Sequence, residues 1–318
     1  MKTGRKKVGL ALGGGGARGF SHIGVLSVLE QEGVDIDLIV GTSAGALVGG
    51  AYASGLSLKE VQTKIDTYLR SPEFDKSSLK TIGLSFSPTG KTSFQKVQTF
   101  LMNRYYLVRA FLKPSILPSE EFKSLVNYLL PDIDIRDTRI PFHAVATDLI
   151  NGQEVILSEG SIRQAVLASA SVPGAVEPVR WGDMLLADGS ITSSVPVRAA
   201  RRLGADIVIA VMIGRVLPKA TDGDVDTATE IIYRAGEIAA NKLEETELAG
   251  ADVIIRPEVG DLHWSDFTRS ADLIRNGENA CRESLKNINI YLGRSERVPT
   301  FRRRLAGFFR RFFVREKK

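Results

Sequence analysis

An α/β fold with a parallel or mostly parallel sheet is what this chain predicts. Two observations carry the prediction: short apolar strands alternate with loops and helices, and a helix rich in small residues follows the second strand, where it can pack closely on a sheet. Of the 318 residues 43% are hydrophobic and 25% charged, enough for a sizeable core, and no long polar low-complexity tract interrupts them. That length fits one α/β domain with a C-terminal appendage.

The elements follow in order. Residues 7–12 (KVGLAL) read as a short buried strand and the glycines after them as a tight loop. Residues 20–32 (FSHIGVLSVLEQE) read as a helix with Ile23, Leu26 and Leu29 at apolar positions. Residues 36–40 (IDLIV) form a second strand ending at Gly41, and SAGALVGGAYASG continues as a helix stopped by Gly55. Residues 71–120 are less regular, with loop signals around one helical run, QKVQTFLMNRYYLVRAFL. This stretch reads as an insertion beside the site, either a lid or a peripheral helix packed on the core. Strands resume at 142–147 and 153–157, a helix lies near 161–169, and Pro173 and Gly174 turn the chain. A hairpin around residues 181–186 puts Asp188 just past it. An apolar strand at 206–213, a polar connection at 216–226, a long helix at 227–248, the strand VIIRP and a helix near 270–291 complete the pattern.

Charge and cysteine content bound the function classes. The net charge of +5 is concentrated: residues 301–318 hold eight Lys or Arg against the single acid Glu316, and the rest of the chain is nearly neutral. A basic end on a neutral body points to a local anionic partner, not to a chain-wide nucleic-acid surface. The lone Cys281 cannot form an intramolecular disulfide, which predicts a reducing, cytoplasmic compartment. No stretch approaches the ~20 apolar residues of a spanning helix. At the N-terminus only residues 8–12 are apolar before four glycines, which reads as a strand and not as a secretory signal.

The sharpest chemical feature is Gly41-Thr42-Ser43-Ala44-Gly45, a G-x-S-x-G match directly after an apolar strand and directly before a helix. Small residues beside the serine allow a strained strand-to-helix turn that exposes the hydroxyl, and the helix aims its positive end at the site. Four consecutive glycines, residues 13–16, end the preceding strand and can bring backbone N–H groups close to a substrate oxyanion. Gly14, Gly16 and Gly19 also fit G-x-G-x-x-G, with Asp35 or Asp37 following. A dinucleotide site, however, wants its acid at the end of the second strand, and here that strand ends in the serine turn. Gly90-Lys91-Thr92 is no phosphate loop, because that motif needs glycine where Ser85 stands. Among the histidines, His22 and His143 read as structural. His263 satisfies the Ser, Asp, His order of α/β-hydrolases and competes with Asp188 as the base.

GGGGARGFSHIG, then GTSAG, then ASASVPG at residues 168–174, then Asp188-Gly189 after a hairpin together resemble the patatin-like phospholipase family, particularly its bacterial members similar to the neuropathy target esterase catalytic domain. The resemblance runs from about residue 7 to 215, with weaker likeness to 290. It implies a three-layer α/β/α fold with a mostly parallel central sheet and a Ser/Asp dyad without a catalytic histidine. Ser43 is then the nucleophile, Asp188 the base, and Gly14, Gly15 and Gly16 the oxyanion loop. Arg18 takes the place of the family's basic residue after the glycines, supporting the loop or meeting a lipid phosphate. Family members usually show Asp-Gly-Gly or Asp-Gly-Ala where this chain has Asp188-Gly189-Ser190. The implied organisation is an acyl hydrolase domain over 1–295, with 71–120 as the insertion, and a basic amphipathic tail over 296–318.

The expected activity is hydrolysis of a lipid ester, with no metal or organic cofactor required. A non-catalytic lipid-binding module and a dinucleotide-dependent oxidoreductase are the alternatives. In 301–318, Phe301, Leu305, Phe308, Phe309, Phe312 and Phe313 recur at helical spacing opposite arginines, as in helices that lie in anionic headgroup zones. The tail therefore predicts peripheral attachment to the inner face of a membrane.

Overall fold

The structure is a computed structural model, which describes residues 5–77, 115, 118–214, 217, 219–220, 225–260, 262 and 265–294. The helical run expected at 95–112, His263 and the tail at 296–318 lie outside these residues. In chain order the main elements are β1 (Val8–Leu12), α1 (Phe20–Gln31), β2 (Leu38–Thr42), α2 (Ala44–Ala53), α3 (Leu58–Leu69), α4 (Ser119–Leu129), β3 (Phe142–Asp148), β4 (Gln153–Leu157), α5 (Ile162–Ser169), β5 (Val179–Trp181), β6 (Met184–Asp188), α6 (Val197–Arg202), β7 (Ile207–Val211), α7 (Ala228–Leu248), β8 (Val253–Ile255) and α8 (Ser270–Tyr291).

Strands β3, β2, β1, β7 and β8 lie side by side and parallel, and β4, β5 and β6 join antiparallel. Helices cover both faces. Val8, Leu10, Leu12, Ile39, Phe142, Ile207 and Ile209 belong to a core shared with α1, α2, α5 and α8. Ala11, Leu38, Val40, Val145, Val208 and Ala210 belong to a second core shared with α6 and Leu248 of α7. Period-two alternation along each strand assigns the residues to the two faces, which gives the three layers expected.

The register fixes where the site forms. β4 takes one edge of β3, pairing with Ala144 through Asp148. The opposite edge is shared: β2 pairs with Phe142 through Val145, and β6 comes in antiparallel on Ala146 through Asp148. Thr42 lies opposite Val145 and Asp188 opposite Ala146, so the C-terminal ends of β2 and β6 meet head to head.

The boundaries differ from expectation at two places. The second strand runs over Leu38–Thr42 and not 36–40, because Asp37 works as a cap: its carboxylate accepts the Val8 N–H at 2.7 Å. Asp188, expected just past a hairpin, is the last residue of the hairpin's second strand. Gly182, with φ +57°, turns the chain, and pairing with β3 extends the strand to Asp188. Three of these main helices go beyond the sequence reading. α3 begins in a capping box between Ser57 and Glu60, α4 falls across the end of the expected insertion, and α6 is only six residues long.

Two close approaches explain small residues inside helices. A Cβ on Gly24 of α1 would stand 2.0 Å from the Ile274 carbonyl oxygen, and one on Gly277 of α8 would stand 2.1 Å from that of Ser21. The two helices therefore cross backbone to backbone. In α2, Gly45 passes Leu12 and Gly50 packs on Phe142, so this helix sits tightly on the sheet.

Candidate active site

Ser43 is the one non-glycine residue with positive φ among the described residues, at φ 53° and ψ −118°. Such a conformation costs on the order of 1–3 kcal/mol and persists only where the surroundings enforce it. Both motif glycines enforce it. A Cβ on Gly41 would lie 2.5 Å from the backbone of Ala46, and one on Gly45 2.1 Å from the Leu12 carbonyl oxygen. The Ser43 N–H donates to Ser169 Oγ at 2.9 Å, and that hydroxyl donates to the Val145 carbonyl at 2.6 Å.

Asp188 arrives from the opposing strand end. Its N–H donates to the Ser171 carbonyl at 2.9 Å, its carbonyl accepts the Thr147 hydroxyl at 3.0 Å, and its Oδ1 accepts the Ser190 N–H at 2.8 Å. The residue is 3% exposed. Burial pushes its carboxyl above the usual carboxylate range, against the hydrogen bonds of Ser190 and the Ser43 side chain, which favour the charged form. Oδ2 makes no well-aligned hydrogen bond. The contact with the Ser43 side chain is thus a loose one. Gly189 follows because a Cβ there would lie 2.3 Å from the Val145 carbonyl oxygen. The ASASVPG segment now has a physical role: Ser169 holds the backbone of Ser43, and Ser171 holds that of Asp188.

The glycine loop is held from behind. Gly13 N–H donates to the Val211 carbonyl at 3.0 Å and Gly14 N–H to the Ser194 carbonyl at 2.9 Å. The Gly14 amide, expected among the oxyanion donors, is therefore already committed. Gly15 and Gly16 line the cavity beside Ser43, and so does Ala44, the first residue of α2. Ala44 was not singled out in the sequence, although its place directly after the motif serine was the available signal. Gly14 still has to be glycine, since a Cβ there would stand 2.5 Å from Ser190 Oγ and 3.3 Å from Ser43 Cβ.

His22 is fully buried, and its Nε2–H donates to the Gly13 carbonyl at 2.8 Å. Burial lowers its pKa to about 4, so the ring is neutral and anchors the glycine loop. His143 Nδ1 contacts Ser158 Oγ at 2.8 Å, away from the cavity lining. Arg18 lines the cavity and donates to the Ile213 carbonyl at 3.4 Å. Glu244, 7% exposed, is raised to about 7 by burial, with the Arg18 charge opposing the rise.

Ser43, Asp188, Gly15, Gly16 and Arg18 all border one cavity of about 420 Å³, whose walls are mainly aliphatic and aromatic, among them Leu47, Phe122, Leu125, Val166, Val176 and Phe267. α4 supplies Phe122 and Leu125, so the chain directly after the expected insertion builds one wall. Such a chamber suits an apolar chain ending at a polar, reactive group.

Comparisons with known proteins identify the family. An uncharacterised NTE family protein of Mycobacterium bovis is 31% identical over 229 residues, covering 72% of this chain and 55% of the relative. The lysophospholipase NTE1 of Saccharomyces cerevisiae is 25% identical over 304 residues, covering 88% of this chain and 16% of that protein. This chain thus spans about half the length of the mycobacterial relative and a small part of the yeast one. The crystal structure of VipD from Legionella pneumophila shares the fold, with a TM-score of 0.51 at 17% identity over 89% of this chain and 67% of that one. The sequence profile of the patatin-like phospholipases matches residues 10–201, more than half of the chain, and the chain belongs to that family.

Proposed function

We propose that the protein is a lipid acyl hydrolase that uses Ser43 as nucleophile and Asp188 as its base. One observation carries the reading: a serine held in a strained turn and a desolvated carboxylate, 145 positions apart in sequence, contact each other at the wall of one apolar cavity. Ser43 Oγ attacks the ester carbonyl while its proton passes to Asp188. The oxyanion is held by the amides of Gly15, Gly16 and Ala44 at the positive end of α2. Collapse expels the alcohol, which leaves with the proton from Asp188. Water then attacks the acyl-Ser43 ester, Asp188 takes its proton, and the fatty acid departs as Ser43 Oγ recovers a proton.

Desolvation makes the base competent. A solvated aspartate, with a pKa of about 3.9, is a poor match for a serine hydroxyl, and burial raises proton affinity in the useful direction. The yeast relative's name and the apolar walls favour a phospholipid or lysophospholipid ester as substrate. The basic tail at 301–318 supplies attachment to an anionic bilayer in this reading.

Turnover of a p-nitrophenyl acyl ester by the purified protein tests the proposal. Ser43→Ala should reduce it to background, and Asp188→Asn should cost about 10²–10⁴-fold, the usual worth of a positioned base. Undiminished turnover in folded Ser43→Ala would remove the nucleophile from the scheme.

A further inference from the structure

Glu247 is fully buried on α7, and the hydrolytic scheme does not use it. Its Oε1 accepts the Ser193 hydroxyl at 2.7 Å and Arg198 Nη2 at 3.4 Å, and its Oε2 accepts the Val195 N–H at 3.2 Å. A buried carboxylate of this kind is costly unless its partners satisfy it, and the partners here belong to a single short segment and the helix that follows it.

That segment, 193–195, ties together the three parts of the site. The Ser193 carbonyl accepts the Thr42 hydroxyl at 2.9 Å, next to Ser43. The Ser194 carbonyl accepts the Gly14 N–H at 2.9 Å, at the glycine loop. The Ser193 N–H donates to the Gly189 carbonyl at 2.8 Å, next to Asp188. Val195 also fills the space beside Gly13, where a Cβ would lie 3.0 Å from its Cγ2. Each of the three groups in the proposed reaction is therefore one residue or one loop away from a strand of chain that Glu247 grips at both ends.

We infer that Glu247 is a positioning residue, whose two carboxylate oxygens clamp residues 193–195 and thereby set the distances between nucleophile, base and oxyanion loop. The inference rests on the proposed roles of Ser43 and Asp188. Removing the clamp frees a segment that is hydrogen-bonded beside all three groups, and displacements of about 1 Å can cost on the order of 10²-fold in rate. Glutamine keeps two of the contacts, since its carbonyl can accept the Val195 N–H and its amide can donate to Ser193 Oγ.

The test uses the full chain and a short soluble acyl ester, well below each variant's melting temperature. Glu247→Ala should lower kcat about 10- to 100-fold with KM changed less than about threefold, and Glu247→Gln should recover most of the loss. Ser193→Ala, which removes one arm of the clamp, should fall between them and decides the question if Glu247→Ala fails to fold. Arg201→Ala is the stability control. It breaks contacts to Gly250, Asp206 and Asp252, none of them in the site, and should lower the melting temperature while kcat stays at the wild-type value. Wild-type kcat in folded Glu247→Ala and in Ser193→Ala, with activity still dependent on Ser43, would overturn the clamp alone. Activity that survives Ser43→Ala would overturn the site and the clamp with it.

Discussion

At residue scale, burial sets the properties of the groups around the cavity. For Asp188 burial raises the pKa, so the acid limb of kcat/KM should lie above the ordinary carboxylate range, and a rate–pH profile on a soluble ester reads it directly. The same shift affects stability with a definite sign. An acid whose pKa is raised on folding contributes most below its unfolded pKa and loses that contribution as pH rises through the folded one. Asp188→Asn should therefore raise the melting temperature at neutral pH while removing most activity. His22 behaves as a buried base. Its unfolded pKa near 6.5 falls to about 4 in the fold, so both states are neutral above pH 6.5 and only the unfolded state gains a proton between 6.5 and 4. Stability falls across that window as pH drops, by roughly 3 kcal/mol for the full shift. His22→Gln, which keeps an N–H donor toward Gly13, should flatten the slope in denaturant titrations between pH 4 and 6.5; an unchanged slope would assign it to other groups.

Elements meet where glycine removes a side chain. The crossing of α1 and α8 at Gly24 and Gly277 leaves no room for a methyl group, because the neighbouring atoms are backbone carbonyls, which cannot swing away as a flexible side chain can. Gly277→Ala should destabilise by about 1–3 kcal/mol or more, as measured by chemical denaturation, through forced separation of the two helices. Gly236 is also helical but has nothing within 4 Å of a built Cβ. Gly236→Ala in α7 should instead stabilise slightly, by up to about 1 kcal/mol from helix propensity. The pair of substitutions separates packing from propensity within one molecule. At the same scale, the meeting of β2 and β6 on a shared edge of β3 brings Ser43 and Asp188 together, and no property of either strand alone would reveal it.

For the whole molecule, the apolar cavity and the basic tail divide the work in the proposed function, one taking the acyl chain and the other the bilayer. A truncation ending at Val298 should lose liposome flotation while keeping turnover of a short soluble ester, and equal flotation of the two forms would contradict the division. Much of this architecture was legible in the chain because it is written locally. The glycine run, the G-x-S-x-G turn and the apolar strands each constrain backbone within a few residues, so the parallel α/β core and Ser43 could be read from spacing. The capping box at Ser57 and Glu60, which starts α3, is an equally local signal. The commitment of the Gly14 amide to Ser194, the hold of Ser169 and Ser171 on the two proposed catalytic residues, and the clamp by Glu247 join residues 17 to 180 positions apart. The sequence by itself determined the residue types and the strained turn, since these answer to short-range sterics and hydrophobic period. Only the tertiary structure decided which amides remain available and which carboxylate is desolvated, since both depend on hydrogen-bond partners and burial contributed by distant segments.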